Sequence, residues 1–219
     1  MAQLWEADIL LFQECRGALR SEIEGMAGSP EGATDASLRP SWAVDTRATL
    51  CVLSRFPIEE VEEMERTALR AAGGSGLVVT YRVQVGDGSI HVINIHLETP
   101  RDGFELLRSG QIRRAIPMMR EKSHLRTIEL AQARRWVDRA SEIPHIVGGD
   151  FNTPPESQAY RRAWADWTNA FSHVGRGYGG TRLNGWIRPR IDHILVDRSW
   201  RVMDARAART WGPTIFPWW

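Results

Sequence analysis

The chain has 219 residues, 42% of them hydrophobic and 25% charged, enough to bury one sizeable core. A formal charge of +1 excludes a global field drawing the protein to nucleic acid or anionic membrane, although a local basic groove stays compatible with it. No apolar run is long enough to span a bilayer, and no signal peptide, repeat, heptad or low-complexity tract is read.

Residues 1–6 read as the tail of a helix. Residues 7–14 follow as a buried strand that ends in the polar pair Gln13-Glu14. A helix is expected over 16–27 and a loop over 28–40, where Gly, Ser and Pro gather. A second strand spans 49–54 and closes at the turn Arg55-Phe56-Pro57. Segments 77–85 and 89–96 form a hairpin across Gly86-Asp87-Gly88. The stretch 104–140 reads as mostly helical, in two pieces with Pro117 near the break. A strand over 145–149, a helix starting at Thr153-Pro154-Pro155-Glu156 and a Gly-rich loop over 175–185 come next. Residues 191–196 and 200–207 complete the set as two strands. Strands with a few helices between them argue an α+β layered domain. Cys15 and Cys51 have no C-x-x-C or metal-like spacing, so free buried thiols in a reducing compartment are expected. Several of the ten tryptophans are expected in the core.

The most informative run is Ile146-Val147-Gly148-Gly149-Asp150-Phe151-Asn152-Thr153. Two glycines let the backbone turn and a ligand come close. Asp150 and Asn152, two residues apart, project to one side while strand geometry lasts. A charged acceptor beside an amide suits a divalent metal, a water nucleophile and an anion. Alone, the run also fits an ordinary strand-end turn, where Asp and Asn are common.

Four segments stand in order: Leu11-Phe12-Gln13-Glu14, Ile93-Asn94-Ile95-His96-Leu97, Gly149-Asp150-Phe151-Asn152 and Arg190-Ile191-Asp192-His193-Ile194. Together with Leu53-Ser54-Arg55-Phe56-Pro57-Ile58, the aromatic-rich 164–171 and the glycines of 175–180, they resemble the endonuclease/exonuclease/phosphatase superfamily across nearly the whole chain. The resemblance implies a four-layer α/β/β/α sandwich of the DNase I-like type. It implies phosphoester hydrolysis by a metal-activated water, with magnesium, or manganese in its place. Glu14 matches the principal metal carboxylate, and Asp150 both touches the metal and orients or deprotonates the water. Asn152 hydrogen-bonds the phosphate or the nucleophile, and His96 contacts the scissile phosphate. Asp192 is the orienting acid of a terminal histidine, whereas His193, next to it on a strand, points the other way and is structural. Arg101 is a weaker candidate for a phosphate contact, against plain solvation.

Two family pieces are missing from the sequence: a first strand ending in asparagine, and a closing Ser-Asp-His motif with its final strand. A single domain over 1–219 is therefore expected to be incomplete at both ends, with an aberrant tail from about residue 208. Permitted codons for 212–219, read from the third base, give Ser-Asp-His-Phe-Pro-Val-Val, so the tail is compatible with a frameshift or with a fragment read in the wrong frame. The expected function is a divalent-metal-dependent phosphoester hydrolase: a phosphodiesterase, nuclease or phosphatase acting on nucleic acid, a phospholipid head group or a small phosphoester. The neutral charge leans away from a dedicated DNA binder, and the pairs Arg113-Arg114, Arg134-Arg135 and Arg161-Arg162 read as solvated helix faces. The alternatives are a catalytically impaired product of such an enzyme and a binding module using Trp218 and Trp219. No protein partner is evident, and a cytoplasmic setting is favoured unless an N-terminal segment has been lost.

Overall fold

The computed structural model describes residues 7–27, 42–99, 101–139, 143–181 and 189–207, without the side chains of 101, 102 and 104. The expected helix tail 1–6, the loop 28–40, residues 182–185 of the Gly-rich loop and the tail from 208 lie outside the described residues.

In chain order the elements are β1 (Ile9–Phe12), α1 (Gly17–Gly25), β2 (Ala43–Arg47), β3 (Leu50–Ser54), β4 (Ile58–Glu63), α2 (Thr67–Ala71), β5 (Leu77–Val85) and β6 (Gly88–His96). They continue with α3 (Arg101–Arg108), α4 (Ile112–Val137), β7 (His145–Asp150), α5 (Gln158–Trp164), β8 (Thr168–Asn169), α6 (Ala170–Val174) and β9 (Asp192–Val196). A small antiparallel sheet has the order β1-β3-β2, and a larger one the order β4-β5-β6-β7-β9-β8. Within the larger sheet only β6 and β7 run parallel.

Alternation along the strands builds three apolar layers. Leu50 and Val52 of β3 meet Val79, Tyr81, Val83 and Val92 of the larger sheet, which glues the two sheets together. Cys51 and Leu53 point the other way, onto Ile23 of α1. Ile93, Ile95, Val147 and Leu195 face Leu130, Ala133, Val137 and Trp164 of α4 and α5. This is the expected α/β/β/α layering. Because β3 is covered on both faces, its five residues are all buried, which is why it reads as a continuous apolar run.

Several elements differ from expectation. The hairpin turn is two residues, Gly86-Asp87, since Val85 pairs with Gly88, and Gly86 takes φ +59°. The helical break lies at 109–111, where Gly110 adopts φ +76° and Gln111 N–H closes on Leu106 O at 2.9 Å, while Pro117 sits inside α4. The helix after β7 starts at Gln158 rather than Thr153; Ser157 caps it, accepting Tyr160 N–H at 3.1 Å. Residues 200–207 form no strand; Val202 and Ala205 instead line a cavity with Asp192 and Ile194 of β9. Cys15 and Cys51 are not free thiols but a disulfide, their Cα atoms 5.9 Å apart, joining the end of β1 to β3.

Candidate active site

Three strands meet on one rim. His96 ends β6 opposite Asp150, which ends β7 opposite Asp192, the first residue of β9. Residues directly opposite in a ladder share a face, so the three side chains stand in one row. Two positions back, Asn94, Gly148 and Ile194 form the row behind. Asn94 is fully buried and donates to Phe12 O and Cys51 O, both at 3.2 Å, and accepts from Gln13 Nε2 at 2.6 Å. Those contacts fix the direction of both rows: they face the small sheet and the end of β1. Gly148 leaves room for that approach, since a Cβ there would stand 2.8 Å from Leu11 Cδ1. Glu14 follows Gln13, exposed and with φ +53°, and the Cys15–Cys51 bond anchors the next residue. Glu14 thus leaves β1 at the end that faces the row. Asp192 also lines a cavity of about 290 Å³ with Ile194, Val202 and Ala205.

The turns after β6 and β7 are tied to each other. Asp150 Oδ1 accepts Asn152 N–H at 2.7 Å, an Asx turn in which Asn152 takes φ +47°, a conformation that asparagine tolerates well. Asn152 Nδ2 donates to Leu97 O at 2.8 Å. Its Oδ1 is buried and meets no hydrogen-bond donor among the described residues. Gly149, at φ +139°, cannot carry a side chain, because a Cβ would collide with the Ile95 carbonyl.

Helix α4 holds both turns from behind, through charged residues that the sequence reading passed over. Arg126 Nη1 donates to Asn152 O at 3.1 Å. Glu129, fully buried, accepts Gly76 N–H at 2.8 Å and Glu98 N–H at 2.5 Å. Glu98 in turn accepts from Ser75 N–H and Oγ at 3.0 and 2.7 Å and from Lys122 Nζ at 3.0 Å. Burial pushes the Glu129 carboxyl above the usual range, against the two backbone N–H groups that favour its charge. Burial likewise lowers the Arg126 pKa. The only sequence signal for these residues was their helical spacing, which is equally that of a solvated face.

His193 stands on the opposite face from Asp192. Its Nε2 lies 2.9 Å from Thr153 O and its Nδ1 3.2 Å from Asn169 Nδ2, with Phe151 and Tyr160 against the ring. Burial drops its pKa to about 3, so it is neutral at pH 7. Of the arginine pairs, Arg134 is engaged by Asp138 and Asp166 and lies over Trp164 and Trp167. The Arg101 side chain and Trp218-Trp219 are outside the described residues.

Among the described residues no three His, Cys, Asp or Glu side chains gather into a metal-binding group. Magnesium asks for less than such a cage, because it keeps several waters and needs one or two carboxylates. Glu14 and Asp150 are hard oxygen donors of that kind.

A profile of the Endonuclease/Exonuclease/phosphatase family matches residues 2–213. No curated protein sequence matches the chain. Among solved structures, TDP2 of D. rerio, complexed with a single-strand DNA product, superposes with a TM-score of 0.60 at 13% identity, covering 94% of this chain and 77% of that one. Sphingomyelinase C of Streptomyces griseocarneus gives 0.57 at 16% identity, with 93% and 76% covered. An endonuclease/exonuclease/phosphatase family protein from Leptotrichia buccalis gives 0.52 at 12%, with 93% and 80% covered. At such identities these likenesses are of fold alone.

Proposed function

The chain belongs to the Endonuclease/Exonuclease/phosphatase family, and from that premise we propose that the rim of β6, β7 and β9 is a divalent-metal-dependent phosphoester-hydrolase site. The observation that carries the proposal is the cross-strand row His96–Asp150–Asp192, turned toward the end of β1 where Glu14 leaves the strand. A magnesium or manganese ion would be held by Glu14 and Asp150. When bound, such an ion activates the attacking water and offsets charge on the phosphoryl oxygens.

The residues divide the remaining work by their chemistry. Asp150, an acceptor, orients or deprotonates the attacking water. His96 contacts the scissile phosphate. Asn152 Nδ2 gives one of its two hydrogens to Leu97 O, which holds the amide at the rim, where it hydrogen-bonds the phosphate or the nucleophile. Asp192 serves as an orienting acid within the row.

A second reading is favoured by one observation: the described residues assemble no three-donor metal group. In that reading the chain keeps a phosphoester-binding rim but is catalytically impaired. Solved relatives by fold include one bound to a DNA product and one named for sphingomyelin. The substrate class proposed here therefore spans nucleic acid, phospholipid head group and small phosphoester. The sequence favours a cytoplasmic setting; the Cys15–Cys51 disulfide favours an oxidising compartment, and we adopt the latter. Among the described residues no helix is long and apolar enough to cross a membrane.

Hydrolysis of a generic phosphodiester, followed with magnesium and with EDTA, tests the main reading. Turnover that needs the cation and is lost in Glu14→Ala and Asp150→Ala supports it. Cation-dependent binding of a phosphodiester without turnover supports the second reading.

A further inference from the structure

The three N-terminal turns of α4 do not lie on the sheet. Buried residues of α4 begin with Ala115 and resume only at Leu125, with the core contacts at Leu130, Ala133 and Val137. Before that, α4 packs against α3, so closely at Gly103 that a Cβ would run into Met119 Cγ. Lys122 reaches Glu98, just past β6, and Arg126 reaches Asn152, just past β7. From Lys122 back to Ile112 the helix runs roughly 15 Å. The α3–α4 pair is therefore an arm that leaves the rim and reaches beyond it.

The tip of the arm has an unusual surface. Leu107, Ile112 and Ile116 are 36%, 57% and 45% exposed, and the two isoleucines sit four apart on one helix face. Residues 106–120 carry four arginines and neither Asp nor Glu. Arg108, Arg113, Arg114 and Arg120 are all exposed. We propose that this arm docks the protein on an anionic lipid bilayer, the aliphatic side chains entering the interface and the arginines meeting the head groups.

Charge complementarity selects an anionic surface, and the aliphatics select among anionic surfaces. A nucleic acid gains little from exposed isoleucine, and residues 106–120 contain no aromatic ring on which a base would stack. A bilayer takes both features at once, as interfacial helices with apolar and basic residues do. A helix pair lying along the surface brings the rim it springs from to head-group level. This docking is independent of hydrolysis and does not rest on the proposed activity.

Flotation of the full chain with vesicles, in EDTA so that no cation-dependent turnover occurs, tests the inference. Vesicles of phosphatidylcholine with about 30 mol% phosphatidylserine should be bound, pure phosphatidylcholine vesicles far less, and added salt should release the protein. Arg113→Gln/Arg114→Gln should weaken binding roughly thirtyfold, from about a fivefold loss per basic residue at such a surface. Ile112→Ser/Ile116→Ser, which keeps every charge, should weaken it as well, with unchanged thermal unfolding showing that either variant is folded. Three outcomes would overturn the proposal: no vesicle binding at low salt, binding indifferent to phosphatidylserine, or an anionic oligonucleotide bound more tightly than vesicles and unaffected by the isoleucine changes.

Discussion

At the scale of single residues, the rim is built from groups whose backbone is as specific as their side chains. Gly149 is the clearest case, since φ +139° and the Ile95 carbonyl together forbid a Cβ. Gly149→Ala should destabilise the protein by about 2–4 kcal/mol, read from chemical denaturation, because strain and overpacking add. One buried and one half-buried histidine set an acid limit. His193 and His91 have pKa values lowered to about 3 and about 4 by burial, whereas in the unfolded chain both protonate near 6.5. The unfolded state therefore binds more protons between those values, so stability is complete above about 6.5 and falls as pH drops toward 4. Glu129, with its carboxyl raised by burial, gives the opposite slope at the acid end. His193→Gln should flatten the acid loss in urea midpoints measured from pH 7 to pH 4.5, and an unchanged slope would refute that assignment.

The site residues were partly legible for a related reason. Asp150 and Asn152 announce themselves because two glycines precede them in an apolar strand. What no local pattern could disclose is the row, because the pairing of Asp150 with both His96 and Asp192 depends on strands 54 and 42 residues away. Arg126 and Glu129 were illegible because burial, not spacing, distinguishes them from a solvated helix face.

Among elements, the strands with apolar runs were read from sequence, the edge strand β1 included, whereas the polar or very short strands β2, β4 and β8 were not. β3, β5, β6, β7 and β9 are buried on one or both faces and carry apolar runs. β4, with the sequence Ile-Glu-Glu-Val-Glu-Glu, is an edge strand whose glutamates keep its open side in water, so its alternation is weak. α4 acts on the rim through two connections, and each is separately testable. Glu129→Gln places an amide NH2 against one of two backbone N–H groups and should cost about 1–3 kcal/mol. Arg126→Met should leave stability closer to wild type while speeding amide exchange at residues 151–153, where its bond to Asn152 O is lost.

For the whole molecule, the disulfide changes the account most. Nothing in a separation of 36 residues distinguishes a bridged pair from two free thiols, and only the closure of β1 onto β3 brings them together. By loop-closure entropy a bridge of that span contributes about 4 kcal/mol. Cys15→Ser/Cys51→Ser should lower the unfolding free energy by roughly that amount, and alkylation of the untreated protein should find no free thiol. The α/β/β/α order then follows from which face each apolar run must cover, and it places the polar ends of β1, β6 and β7 around one rim.

The central claim is that His96 and Asp150 act as one unit on a phosphoester. A double-mutant cycle on magnesium-dependent hydrolysis of a phosphodiester measures this directly. The account predicts that His96→Ala and Asp150→Ala each lower kcat/KM by about 10²–10⁴-fold, and that the double variant is scarcely worse than either. Turnover that persists in Asp150→Ala, or losses that simply multiply, would contradict it.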